Sequence, residues 1–164
     1  MAKNYILDAT TANRKMQRMA YEIVENNLDE PSIILAGIRE SGSVIARNIQ
    51  QLLQQISSIK TDLITISLDK KNPDEVTITP DTDFNNKVVL IIDDVANSGK
   101  TLLYAMKPLL AFHPRKVQTL ALVERTHKAF PIHTDYVGLS LATTLQEHIF
   151  VETDGDDVKG AYME

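Results

Sequence analysis

Residues 88–101 read VVLIIDDVANSGKT. Five apolar residues, Val88, Val89, Leu90, Ile91 and Ile92, run straight into Asp93 and Asp94. A short turn containing Gly99 follows, and Thr101 opens an amphipathic stretch. This order sets a buried strand, an acidic strand end, an anion-ready loop and a helix start side by side. Two carboxylates at a strand end can bind a ribose diol or a hydrated magnesium ion, because hard cations take oxygen ligands. Neighbouring strand residues point to opposite faces, so both acids reach one ligand only where the alternation relaxes, as it does at a strand end. After them, Val95 leads into Ala96, Asn97, Ser98, Gly99, Lys100 and Thr101. N–H groups at a helix start lack partners within the helix, and the dipole there favours an anion. Gly99 permits a close backbone approach, Ser98 and Thr101 supply hydroxyls, and Lys100 supplies charge. Taken singly, the acids fit a solvated strand end and the loop fits an ordinary capped helix. Together they are far more specific, and they suit a sugar phosphate bound with its metal.

Gly99-Lys100-Thr101 also matches the end of a nucleoside-triphosphate loop, G-x-x-x-x-G-K-[ST]. The first glycine of that pattern falls on Asp94. A carboxylate there would point at phosphates, and the acidic pair lies in the same loop rather than on another strand. The triphosphate reading is set aside on those grounds.

The elements that must position this segment follow from periodicity. Residues 12–27 read as a helix, with Met16, Met19, Ala20, Ile23 and Val24 at helical spacing and Thr10 or Thr11 as cap. Residues 33–37 read as a buried strand after Pro31, and residues 43–57 as a second helix with Ile45, Ile49, Leu52, Leu53 and Ile56 on one face. A strand is expected at 63–68. Residues 69–86 are rich in turn formers and charges, with one extended piece at Val76-Thr77-Ile78; this reads as a mobile excursion or small hairpin, against the plainer alternative of a connecting loop. A strand at 88–92, a helix at 101–111, a strand at 117–123 and short late strands at 136–139 and 149–151 complete the pattern. Strands alternating with helices give an α/β fold with a mainly parallel sheet covered on both faces. Ligands of such sheets bind beyond the carboxyl ends of the strands.

Composition bounds the rest. With 164 residues, the chain is most simply one domain, 1–164. No apolar run approaches the roughly 18 residues of a membrane span, and the opening MAKNYILD has no signal-peptide core. The absence of cysteine removes disulfides, thiol catalysis and Cys-based zinc sites. A cytoplasmic protein without membrane contact is expected. The net charge of −5 argues against nucleic acid as a default partner, although a local basic patch is compatible with it. His113, His127, His133 and His148 are dispersed without metal-ligand spacing, and the acidic run Glu152, Asp154, Asp156 and Asp157 lacks a calcium-loop pattern. Each set reads as solvated surface.

Two segments carry a family resemblance. Residues 88–101 resemble the phosphoribosyl-pyrophosphate signature of type I phosphoribosyltransferases, and Ile33-Ile34-Leu35-Ala36-Gly37-Ile38-Arg39-Glu40-Ser41-Gly42 resembles their pyrophosphate loop. Over nearly the whole chain the sequence is similar to the pyrimidine-operon attenuator and uracil phosphoribosyltransferase family. Ile6-Leu7-Asp8 and the following helix fit its opening, and residues 122–128, 131–132 and 135–138 fit its later part. The resemblance implies a type I phosphoribosyltransferase fold: a central, mainly parallel sheet flanked by helices, with a small hood made by the termini and late strands. It implies Mg2+ as cofactor, and phosphoribosyl pyrophosphate with a nucleobase, uracil first, as substrates. Residues 96–101 would hold the 5′-phosphate, Asp93 and Asp94 the ribose hydroxyls and the metal, and Arg39, Glu40 and Ser41 the pyrophosphate. Val95, Arg125 and His127 would lie near the base. It implies a homodimer, or a homotetramer built from dimers.

The departures are equally specific. Ser98 stands where the family usually has threonine, Glu40 where it has threonine and Ser41 where it has arginine, and the 69–86 excursion is shorter than the usual flexible arm. Fewer positive charges and a short arm weaken the expectation of fast turnover. Two readings therefore stand beside each other. One is a salvage enzyme that makes UMP; the other is a regulatory protein that senses a nucleotide or phosphoribosyl pyrophosphate with weak or no turnover. A third, an α/β domain binding neither ligand, is the plain alternative. Lys70 or Lys71 on the excursion could close over pyrophosphate, against the plainer reading of two solvated lysines.

Overall fold

The structure, a computed structural model, describes residues 2–144 and 146–164. In chain order its elements are β1 (Asn4–Asp8), α1 (Ala9–Asn26), β2 (Ser32–Ile38), α2 (Ser41–Ile56), β3 (Lys60–Leu68), β4 (Val76–Thr79), β5 (Val88–Ala96), α3 (Lys100–Ala105), a 3-10 turn (Lys107–Ala111), β6 (Lys116–Arg125), β7 (Tyr136–Leu141), β8 (Ile149–Asp154) and β9 (Asp157–Met163). A six-stranded sheet runs β4-β3-β2-β5-β6-β7, and a three-stranded sheet runs β1-β9-β8. In the large sheet only the β3–β4 pairing is antiparallel. This is the mainly parallel α/β sheet with a small hood that the sequence implies.

β5 is apolar throughout its first half because both faces are covered. Val88, Leu90 and Ile92 pack into the cluster under α1 and α2, with Met16, Ile23, Ile45 and Ile49. Val89 and Ile91 pack into the cluster on the α3 side, with Leu102, Leu109 and Phe84. α1 buries Ala12, Met16, Met19, Ala20 and Ile23, one helical stripe.

Several boundaries differ from the sequence reading, each for a local reason. α1 starts at Ala9 because Asp8 is its cap; the Asp8 carboxylate accepts the Thr11 N–H at 2.7 Å. The helix expected at 101–111 divides, with α3 ending at Ala105 and a 3-10 turn following. Pro108 has no N–H to donate to the Tyr104 carbonyl, so the α-helical ladder cannot pass it. β5 does not stop at Ile92 but runs to Ala96, because its later residues pair with β6, Val95 with Val123 and Ala96 with Glu124. The 69–86 excursion forms a hairpin through β4, which pairs with β3 from Thr65↔Thr79 to Leu68↔Val76. Its second half is anchored: Phe84 is 1% exposed and meets Phe112 edge-on at 5.5 Å.

The hood joins the two ends of the chain. β1 and β8 both pair with β9, and Tyr5, Tyr162 and Phe150 form cross-strand aromatic contacts at 5.6 and 5.3 Å. β1 and β9 were not expected as strands; each carries a bulge or register shift, which blurs the alternation. Among the described residues no helix is long and apolar enough to cross a membrane.

The anchoring of the excursion has a measurable consequence. Phe84→Ala should lower the free energy of unfolding by about 3–4 kcal/mol, as large-to-small changes at closed aromatic sites do. Leu110→Ala, at a position 80% exposed, should change it by less than about 0.5 kcal/mol. Urea denaturation of both variants reads the difference, and equal midpoints would refute the anchor.

Candidate functional site

The sheet order places β2 at its point of reversal. From β2 the chain proceeds outward to β3 and β4, then returns to β5 on the other side. β2 and β5 are parallel neighbours, paired from Ile34↔Val89 to Gly37↔Ile92, so their carboxyl ends open on one edge. The loops leaving them carry Arg39, Glu40 and Ser41 on one side and Asn97, Ser98 and Gly99 on the other. Diverging connections at such a switch leave a crevice between them.

Asp93 lies in this crevice with no exposed surface, and Asp94 keeps 15% of its side chain exposed. The two acids sit inside β5, not at a loose end, yet they still converge. Their carboxylates bend back on the strand: Asp93 Oδ1 accepts the Asp94 N–H at 2.9 Å and Asp94 Oδ1 accepts the Val95 N–H at 2.8 Å. The alternation changes phase here, since Ile91 packs in the α3-side cluster while Val95 packs in the other. Lys70 Nζ reaches both acids, 3.3 Å from Asp93 Oδ1 and 3.7 Å from Asp94 Oδ1. Burial, with the Asp94 charge adding to it, pushes the Asp93 carboxyl well above the usual carboxylate range, while Lys70 pulls the other way. Burial also opposes the charge on Lys70, but the two carboxylates outweigh it and hold the ammonium above its ordinary value.

α2 is laid directly onto this acid. A Cβ at Gly42 would stand 2.7 Å from the Ile92 carbonyl oxygen and 3.3 Å from Asp93 Oδ1. Any side chain there would push the helix start, and the Arg39–Ser41 loop before it, off the strand. Gly99 adopts φ +89, a left-handed conformation that glycine supplies without strain, and so turns the loop into α3. The loop is held from outside by the Ala129 and Phe130 N–H groups, both donating to the Ser98 carbonyl at 3.0 Å. α3 is only six residues long. What it offers an anion is therefore its first-turn N–H groups rather than a long dipole.

Three hollows lie along this edge, two of them sharing Asn97 and Ser98. Lys70, Asp93 and Val95 face the whole 96–101 loop around a small one of about 60 Å3. Arg39, Glu40 and Ser41 line another of about 420 Å3. Asn97, Ser98, Arg125 and His127 line a cleft of about 780 Å3 that also reaches the hood through His148 and Phe150. The site residues expected above line one of the three, except Asp94, which is joined to the first through Lys70, and Lys71, which lines none. Behind the cleft, Glu124 is tied to Lys128 and accepts from Ser140 at 2.9 Å. Burial works against its charge, but those two partners prevail and keep its carboxyl below the ordinary range. Arg125 donates to the Glu147 carbonyl, which fixes its guanidinium beside the cleft.

Sequence reasoning undervalued Lys70, whose plainer reading was a solvated lysine. The signal was its place directly after β3, the strand beside β2. It did not single out Arg47, Thr65, Thr153 or Phe150, and it read His148 only as surface, because no short motif contains them; the fold brings them to the edge.

The residues present fit a magnesium ion. Asp93 Oδ2 is buried without a partner, and Lys70 already sets a positive charge against both acids. Among the described residues no group of three or more acidic or histidine side chains forms a closed cage. Magnesium prefers such open sites, held by one or two carboxylates and completed by waters and substrate phosphates. When bound, it neutralises the charge that gathers on phosphate oxygens.

Known proteins share the family and the fold. Residues 4–154 match the family described as Phosphoribosyl transferase domain. The chain is 36% identical to the "Bifunctional protein PyrR" of Streptococcus uberis, covering 96% of this chain and 95% of that protein. It is 34% identical to the "Pyrimidine operon regulatory protein" of Lactococcus lactis subsp. lactis, over 96% and 95% of the two chains. Among solved structures, a hypoxanthine-guanine phosphoribosyltransferase from Bacillus anthracis superposes with a TM-score of 0.77 at 16% identity, covering 97% and 96%. The hypoxanthine phosphoribosyltransferase of Trypanosoma cruzi gives 0.73 at 15% identity, covering 85% and 82%. At those identities the structures speak for the fold alone. The chain belongs to the phosphoribosyl transferase domain family and has the type I phosphoribosyltransferase fold.

Proposed function

We propose that this protein is a pyrimidine-operon regulator of the bifunctional kind. It binds phosphoribosyl pyrophosphate with magnesium, or a pyrimidine nucleotide, at the β2–β5 crevice, and it transfers phosphoribose to uracil slowly. The observation that carries the ligand is the convergence of Asp93 and the 96–101 loop on one hollow, with Asp94 joined to it through Lys70. The regulatory half is supported by the printed names of full-length relatives. It is supported also by Glu40 and Ser41, which leave the pyrophosphate loop with little positive charge.

The roles follow from position. The 96–101 loop takes the 5′-phosphate on N–H groups and hydroxyls. Asp93 and Asp94 take the ribose hydroxyls and the metal. Arg39, with Glu40 and Ser41, faces the diphosphate, and Arg125 and His127 in the large cleft face the base, while Val95 lines the small hollow beside Asp93 instead. In transfer, a ring nitrogen of uracil bonds to C1 as the C1–oxygen bond to pyrophosphate breaks, and the proton on that nitrogen passes to the departing pyrophosphate or to water. Positive charge grows on the ribose ring, and the carboxylates of Asp93 and Asp94 stabilise it. A salvage enzyme with full turnover is the second reading, favoured by the intact acid pair.

Calorimetry with phosphoribosyl pyrophosphate and magnesium should show binding, and Asp94→Asn combined with Thr101→Ala should weaken it by about 100-fold, the loss of two charge-assisted contacts. Unchanged affinity in the double variant would remove the site. On the same sample, UMP formation below about 1 s⁻¹, with nucleotide-dependent RNA retention that falls steeply with salt, is expected of the regulator. Turnover in the ordinary enzyme range without RNA retention would establish the salvage enzyme instead. Lys70→Ala should lower the melting temperature of the free protein by about 4 °C or more, since a buried acid loses its cation. That deficit should shrink once magnesium and phosphoribosyl pyrophosphate are present; a deficit that persists in full would show that the ligand does not occupy this hollow.

A further inference from the structure

The 420 Å3 hollow beside the pyrophosphate loop has two walls. One is the loop with the first turns of α2, and the other is the tip of the β8–β9 hairpin, through Thr153 and Gly155. Two cations line it, Arg39 and Arg47. Arg39 Nε lies 3.8 Å from a Glu40 carboxylate oxygen, and Ser41 is neutral, so the loop alone presents no net positive charge to an anion. Arg47 stands further along α2, with its Nε 2.7 Å from Asp156 Oδ1 in the hairpin tip. Both partners are wet, with 38% and 64% of their side chains exposed. An ion pair of that exposure is weakly held. A diphosphate offers the same guanidinium more charge and paired oxygens at a matching spacing. The hairpin does not depend on the ion pair for its place, because Asn48 Nδ2 donates to the Asp156 backbone carbonyl at 2.9 Å.

We propose that Arg47 is the second cationic contact of the diphosphate in this hollow, held by Asp156 in the free protein and released to the ligand on binding. The inference rests on the phosphoribosyl-pyrophosphate reading above. Arg47 supplies from the helix the charge that the loop lacks at Glu40 and Ser41. Asp156 is then a built-in competitor, which sets the affinity for diphosphate-bearing ligands and leaves the 5′-phosphate end untouched.

The test is calorimetry of the full chain with magnesium and three ligands: phosphoribosyl pyrophosphate, inorganic pyrophosphate and ribose 5-phosphate. Arg47→Ala should weaken the first two about tenfold and leave ribose 5-phosphate unchanged, with part of the loss recovered in Arg47→Lys. Asp156→Asn should tighten pyrophosphate by roughly two- to threefold, the strength of a wet ion pair. Wild-type affinity for both diphosphate ligands in Arg47→Ala would overturn the proposal. So would an equal loss of all three ligands, which marks a structural role. If the wild-type protein binds ribose 5-phosphate and phosphoribosyl pyrophosphate equally well, the diphosphate makes no contact and Arg47 has no such role. If it binds none of the three, the phosphoribosyl-pyrophosphate reading itself falls.

Discussion

Asp93 has no contact with water, and removing an ionised carboxylate from water costs several kcal/mol unless a partner of opposite charge and good hydrogen bonds repay it. Lys70 and the Asp94 N–H are what the free protein provides. Around this one group the rest of the edge is arranged. β5 carries it and β3 leads into the residue that neutralises it. α2 can approach it because position 42 has no side chain. The 96–101 loop follows it within a few residues. A carboxylate held dry, with one oxygen unpartnered, is expensive in stability. It is also what a site needs if it is to meet a cation or a developing positive charge without reorganising solvent.

The parallel pairing of β2 and β5 is the second constraint. Two loops from distant parts of the chain face one ligand only because neighbouring strands run the same way and end at the same edge. The hood contributes the third side, since β8 and the residues at its two ends bring His148 and Phe150 to the cleft and Thr153 and Gly155 to the hollow beside Arg39. The hood is itself the meeting of the chain's two ends, β1 with β9, so the outer wall of the site depends on pairing across almost the full sequence.

The charged groups divide into two kinds. Lys128 with Glu124 is shielded, and Asp93 is closed to solvent although its partner Lys70 stays half-exposed; these pairs shape the site. Arg39 with Glu40 and Arg47 with Asp156 are exposed at its rim. Exposed pairs contribute little to folding and exchange partners readily.

The sequence by itself determined the elements with strong periodicity and the loop whose chemistry is contiguous. The run of residues 88–94, the 96–101 loop and the Arg39–Ser41 segment were legible because each set of groups lies on one short stretch of chain, where local geometry decides what faces what. The β1 and β9 strands were not legible, because their bulges break the alternation that marks a strand. Pro108 lies inside the helix expected at 101–111 and divides it, since it has no N–H to continue the ladder. Only the tertiary structure decided that Lys70 sits on the acids, that Arg47 and Thr153 share a hollow, and that His148 and Phe150 close the cleft. Those neighbours are set by strand order and by hairpin docking. Such long-range choices depend on burying both faces of a sheet at once, a property of the whole core that no single segment encodes.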